Sequence, residues 1–231
     1  MRTTALMLMF LAILVLLSSK AHADLLVNGD FEQGDVGFQT QYTRLNGTAS
    51  NPASSNPGQY QVTINPIYVN PYWYAGFGDH TSGHGNMLLV DGSQNPSQYL
   101  WQETVSGLSV GTIYNFSGWA ASVDAVTETP PATLMIASGG SQIGSLVNIS
   151  AVPAVWQRFT VSFAATSSTM TFQIFDEQTS QLYNDFALDD LSLTVASVPE
   201  PASLLMLSTG VIAVLGYLHR RHAIDPSTGA A

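Results

Sequence analysis

The chain is expected to be all-β, an antiparallel β-sandwich with one transmembrane helix added at its C-terminal end. Three observations carry that expectation. Between Asp24 and Val198 no long segment repeats its apolar residues at the helical spacing of about 3.6. Short runs in that region alternate apolar with polar residues, as a strand with one buried face must. Clusters of Gly, Pro, Asn and Ser punctuate these runs at the intervals of a two-sheet structure.

The chain begins Met1-Arg2, runs apolar from Ala5 to Leu17, and reaches Ala21-His22-Ala23 soon after. A positive start, an apolar core too short to span a bilayer and small residues at the cleavage positions describe a signal peptide over residues 1–23. Residues 24–198 then form one domain, long enough to bury a substantial core. Within it Tyr114, Phe116, Gly118 and Ala120 alternate with Asn115, Ser117 and Trp119. Phe159, Val161 and Phe163 alternate with Arg158, Thr160 and Ser162; Met170, Phe172 and Ile174 alternate with Thr171 and Gln173. Roughly ten to twelve such strands fit the length. Near the end the phase slips: Phe186 and Leu188 share one face, Leu191, Leu193 and Val195 the other, which predicts a bulge at Asp189-Asp190. Trp101, Trp119 and Trp156 are expected in the core. Residues 46–58 and 127–131 read as loops.

Charge narrows the function. Residues 24–198 hold fourteen acids against Arg44 and Arg158, a net of −12. No nucleic-acid partner is expected, because phosphate binding needs clustered Lys and Arg. The chain has no cysteine, which removes disulfides, thiol catalysis and thiolate metal sites.

At the other end, Val198-Pro199-Glu200-Pro201 leads into the apolar stretch Ala202–Leu218, followed by His219-Arg220-Arg221-His222. As a helix that stretch covers roughly 26 Å, close to the hydrocarbon thickness of a bilayer, and Arg220 and Arg221 hold its end in the cytoplasm. Residues 202–218 are therefore read as a transmembrane helix within a 199–222 signal, and 223–231 as a short cytoplasmic tail. The Pro199-Glu200-Pro201 triplet, the apolar span and the arginine pair together resemble the PEP-CTERM sorting signal. The resemblance implies export in a Gram-negative cell, a membrane intermediate, processing by an exosortase, and a final place at the cell surface or in the exopolysaccharide matrix of a biofilm. The segment Ile224–Ala231 beyond the arginines departs from the pattern.

The 24–198 region opens Asn28-Gly29-Asp30-Phe31-Glu32 and closes Phe186-Ala187-Leu188-Asp189-Asp190-Leu191-Ser192-Leu193. Between them stand Gly111-Thr112-Ile113-Tyr114-Asn115-Phe116-Ser117 and Trp156-Gln157-Arg158-Phe159-Thr160-Val161-Ser162-Phe163. In this order the motifs resemble the galactose-binding-like jelly roll of many carbohydrate-binding modules. That resemblance implies first and last strands side by side, with a structural Ca²⁺ held by Glu32 and by Asp189 or Asp190. The alternative is that these acids sit on a solvated edge strand.

The segment Tyr68–Asn86 is the most distinctive. Tyr72, Trp73 and Tyr74, with Asp79 and His80, have the character of a glycan site, aromatic faces for the ring and polar groups for the hydroxyls. The alternative is that alternate aromatics face the core. His80 and His84 are poorly spaced for a metal in a Gly-rich loop. No nucleophile elbow, zinc-helix motif or phosphate loop occurs, and Asp79, Asp91 and Glu103 read as ordinary surface acids. A non-catalytic module that binds extracellular polysaccharide is expected. The alternatives are a structural matrix protein without a ligand and a surface glycosidase.

Overall fold

The computed structural model describes residues 23–126, 131–180 and 182–196, together with Leu215. The signal peptide up to residue 22, the sorting residues Pro199, Glu200, Pro201, Arg220 and Arg221, and the 202–218 span except Leu215 lie outside the described residues. Among the described residues no helix is long and apolar enough to cross a membrane. Residues 22–196 make one compact unit.

Eleven strands form among the described residues, in chain order β1 Thr43–Arg44, β2 Gln59–Thr63, β3 Met87–Asp91, β4 Tyr99–Ser106, β5 Ile113–Ser122, β6 Thr133–Ser138, β7 Ser141–Gln142, β8 Val147–Asn148, β9 Gln157–Ala164, β10 Thr169–Asp176 and β11 Phe186–Val195. The larger sheet has the order β1-β2-β3-β11-β5-β9, and the smaller sheet β4-β10-β6-β7 with β8 also paired to β6. All pairs are antiparallel except β1 with β2. The described residues between 23 and 196 form an all-β sandwich.

The alternation read from the sequence sets the core. Phe116 and Ala120 from β5, Phe159 and Val161 from β9, and Phe172 and Ile174 from β10 meet in one apolar cluster that draws on both sheets. Trp101 is buried there with its ring edge-on to Phe116, centroids 5.8 Å apart. Trp119 and Trp156 differ from expectation: both are half-buried and lie outside this cluster. The phase of β5 explains Trp119, since it shares the phase of odd-numbered Ala121, on the opposite face from Phe116 and Ala120.

A second, smaller cluster covers that opposite face. Val69, Trp73 and Phe77 from the segment between β2 and β3 pack on Met87, Leu89, Ala121 and Ala187. Strand β3 is thereby buried on both faces, which is why Met-Leu-Leu-Val reads as an unbroken apolar run.

The N-terminal segment runs beside β11, as the resemblance implies. Leu25 donates to the Leu193 carbonyl at 3.0 Å and Leu191 to the Gly29 carbonyl at 2.8 Å. A Cβ on Gly29 would overlap the Leu191 carbonyl. Gly29→Ala is therefore expected to cost on the order of 3 kcal/mol, read as a lowered urea midpoint. An unchanged midpoint would mean that the segment is not docked there.

Candidate functional site

The expected bulge is present: pairing of β11 with β5 shifts between Asp189 and Ser192, and Asp190 takes a left-handed φ of 47°. The irregularity turns two successive carboxylates toward the segment 79–86. Asp189 accepts the His80 backbone N–H at 2.8 Å and, through its other oxygen, the Asp190 N–H at 2.8 Å. Asp190 Oδ2 lies 2.6 Å from His80 Nδ1 and accepts from the Thr81 hydroxyl at 2.7 Å. The His80 ring stacks on Trp119 with centroids 3.8 Å apart. Burial raises the Asp189 carboxyl to about 7; the two N–H donors oppose the rise, and the neighbouring Asp190 and Asp79 add to it.

Glu32, Asp189 and Asp190, to which the resemblance assigned calcium, do not form a ligand set. Glu32 Oε1 accepts the Asn86 N–H at 2.8 Å, and both Asp189 oxygens are taken by N–H groups. Among the described residues no three His, Asp or Glu side chains are arranged to hold a metal ion. The residues present do not fit a calcium cage at that place.

The aromatic segment also divides. Asn65 caps a short 3-10 turn, Pro66–Tyr68, and the Tyr74 N–H binds the Val123 carbonyl at 2.8 Å, which fixes the orientation between them. Tyr72 and Tyr74 are exposed, at 82% and 40%, whereas Trp73 is buried at 5%. Trp73 therefore offers no free face for a sugar. Its Nε1 donates to Asp185 Oδ2 at 2.8 Å.

Asp79 is a buried loop organiser, not a surface acid. Its carboxylate accepts the Ser82 N–H at 2.8 Å, the Ser82 hydroxyl at 2.9 Å and the Gly85 N–H at 2.6 Å. Burial pushes this carboxyl up, but donors from Ser82, Gly85 and His84 outweigh it and hold the group below its usual value. Asp79→Ala strands these donors, and a loss of roughly 2–3 kcal/mol is expected, together with faster proteolysis within residues 78–86. Resistance equal to the parent's would show that the loop is held by its apolar contacts alone.

Asp91 and Glu103 are likewise buried, at 5% and 9% exposure, against the surface placement expected. Glu103 faces inward because β4 alternates, and burial raises its carboxyl while the Val27 N–H, at 2.9 Å, opposes the rise. Asp91 belongs to a group that the sequence does not reveal. Phe186 at the start of β11 pairs with Val90 on one side and with Ser122 on the other. Asp91, Asp124 and Asp185 consequently share one end of the larger sheet. Asp185 lies near enough to both other aspartates to perturb each of them. Burial raises Asp91 and Asp124 to about 6 each, and burial with the charges of Asp91 and Asp124 lifts Asp185 well above its ordinary value. Beside them, burial lifts Asp176, at the end of β10, to about 7. Among the described residues the only charged pairs are Arg44 with Asp35 and His80 with Asp190, so no basic side chain offsets this group. Its one sequence signal is the excess of acids over arginines.

On the outward face of the smaller sheet the alternation leaves amides and hydroxyls in rows. Gln102 Nε2 donates to Gln39 Oε1 at 2.9 Å, Gln173 Nε2 to Gln102 Oε1 at 2.8 Å, and the Gly140 N–H to Gln173 Oε1 at 3.1 Å. The Thr104 and Thr171 hydroxyls meet at 2.8 Å. Tyr99 and Phe175 form an edge-on aromatic pair, centroids 6.4 Å apart, beside a bulge at Ile174/Phe175, with Tyr99 half-buried and Phe175 buried. Such a face can hydrogen-bond sugar hydroxyls along a row and offer a ring edge at one end.

One comparison bears on the chain's destination. Residues 197–221 match the PEP-CTERM protein-sorting motif. The motif marks the chain for export and sorting toward the cell surface, as the triplet, span and arginines led us to expect. No curated protein matches the chain. Among solved structures the chain is similar to a CBM22-1 xylan-binding domain of Xyn10C from Paenibacillus barcinonensis, at 14% identity and TM-score 0.47, covering 79% of this chain and 100% of that one. It is also similar to a family 16 carbohydrate-binding module, at 18% identity and TM-score 0.41, covering 74% and 99% respectively. A third is the sugar-binding EclA C-terminal domain, at 18% identity and TM-score 0.38, covering 43% and 69%.

Proposed function

We propose that this is an exosortase-processed surface or matrix protein of a Gram-negative cell, whose sandwich is a non-catalytic, galactose-binding-like jelly roll that binds extracellular polysaccharide. The sorting motif supports the destination. The observation that carries the binding role is the solvent-facing ladder Gln39–Gln102–Gln173 with Tyr99 at its end. Glycans are held by such combinations of aligned polar groups and aromatic surface. The net charge of −12 over residues 24–198 repels anionic polymers, so the ligand is a neutral or amino-sugar chain. Against catalysis stands the geometry of the acids with raised pKa. Asp91 and Asp124 are buried at one end of the larger sheet, at 5% and 8% exposure, whereas hydrolytic carboxylate pairs flank an open cleft that accepts the sugar between them.

Affinity electrophoresis tests the reading. The protein is expected to be retarded in gels containing the producing cell's own exopolysaccharide or a neutral glucan. Tyr99→Ala combined with Gln102→Ala should abolish retardation, while Tyr72→Ala leaves it intact. Free migration in every gel would instead favour a structural matrix protein without a ligand.

A further inference from the structure

A strand at the edge of a sheet offers a row of unpaired N–H and C=O groups to another chain, and folded proteins shorten, cover or charge such edges. Among the described residues, three of the four sheet edges are treated in this way. On the larger sheet β1 has only two residues, and on the smaller sheet β7 and β8 have two each. The β4 edge is covered by residues 39–41. Gln39 N–H binds the Gln102 carbonyl at 2.9 Å, Gln102 N–H the Gln39 carbonyl at 2.8 Å, and Gln41 N–H the Tyr99 carbonyl at 3.0 Å. Strand β9 is the exception. It closes the larger sheet with eight residues, Gln157–Ala164, without lysine, proline or any break in its register against β5.

Hydrogen-bond parity shows what that edge presents. Ala165 N–H binds the Thr112 carbonyl at 3.0 Å, and Ala196 N–H binds the Ile113 carbonyl at 2.9 Å. Even-numbered residues of β5 therefore bond toward β9 and odd-numbered ones toward β11. On β9 the odd-numbered residues are satisfied by β5. The N–H and C=O groups of Arg158, Thr160 and Ser162 point off the edge, roughly 7 Å apart along the strand. All three residues are exposed. A cleft of about 530 Å³ runs beside the strand, with Gly144–Asn148 as its other wall, and leaves room for an incoming chain.

We propose that this edge pairs with the β9 edge of a second copy of the chain, antiparallel about a two-fold axis, joining the two larger sheets into one. Charge favours this partner. Residues 129–175 contain no acid, Arg158 is their only charge, and β5 behind the edge is uncharged. Two domains of net charge −12 repel each other, and they approach at least cost through an edge that carries none of their acids. The backbone is self-complementary as well. Both copies present even-numbered residues, so an antiparallel pair sets outward groups against outward groups and each donor meets an acceptor. The two Arg158 side chains then lie toward opposite ends of the pair, away from one another.

Sedimentation equilibrium of the full chain in density-matched mild detergent tests the pairing. A mass of two copies is expected at micromolar concentration, and raising the salt from about 0.05 M to about 0.5 M should tighten the association by screening the acids. Thr160→Pro removes an outward N–H and no bond to β5, and Thr160→Asp sets like charges across the pair. Each should raise the dissociation constant at least about tenfold, and far-ultraviolet circular dichroism verifies that each variant folds. Both variants leave the apolar stretch 202–218 intact, so association through that stretch would survive them. A parent that stays single at every concentration, undiminished pairing in both variants, or pairing that weakens with salt would each overturn the proposal.

Discussion

Trp101→Ala is expected to lower the melting temperature by roughly 6–20 °C, the largest effect of any single truncation in the sandwich. The side chain is 1% exposed and sits on β4, edge-on to Phe116 of β5, so it joins the smaller sheet to the larger one. Removing a buried Trp side chain costs about 3–5 kcal/mol, from lost transfer energy and from the cavity left behind. For a domain of this size each kcal/mol moves the midpoint by about 2–4 °C. The void would open where Phe116 also stacks near Phe172, centroids 5.9 Å apart, so collapse around it is resisted from both sheets. Trp119→Ala, half-buried outside this cluster, should cost markedly less. Thermal unfolding followed by circular dichroism decides the matter. Equal losses for the two variants would mean that Trp101 does not bridge the sheets.

The protein should be more stable at pH 5 than at pH 8, the reverse of a protein whose carboxylates are salt-bridged. Asp91 and Asp124 are raised from 3.8 to about 6 and Asp176 to about 7, in each case mainly by burial. Asp185 moves in the same direction. A carboxyl that holds its proton more tightly folded than unfolded favours the folded state when protonated. That stabilisation is complete below about 3.8 and disappears as the pH climbs through about 6 to 7. A two-unit shift is worth about 3 kcal/mol, and because Asp91, Asp124 and Asp185 interact, their effects do not add. Asp79, held below its usual value, opposes the trend only at lower pH. A midpoint at least about 5 °C higher at pH 5 is expected. Asp185→Asn should flatten the difference, since it removes the central charge. A midpoint that rises with pH would contradict the burial of these acids without a basic partner.

Some of this was legible along the chain and some was not. The phases of β5, β9 and β10 place Phe116, Phe159 and Phe172 in one core because neighbouring residues on a strand must point to opposite faces. The slip between Leu188 and Leu191 marked the bulge for the same reason. Trp119 was misplaced even though its phase was visible, since nothing local shows that a second apolar layer covers that face. Trp73 posed the same problem within Tyr72-Trp73-Tyr74. Which ring turns inward depends on the tie from Tyr74 to Val123 and on Asp185 waiting for an indole N–H.

The sequence by itself determined the all-β class, the bulge at Asp189-Asp190 and the sorting motif, because each is written in residues a few positions apart. Only the tertiary structure decided that Asp91, Asp124 and Asp185 meet. Their approach depends on β11, the last strand of the chain, pairing between β3 and β5. Strand order is set by long-range packing of apolar faces, and no local pattern records it. The same pairing that buries Phe186 brings three carboxylates to one end, where among the described residues no cationic side chain pairs with them.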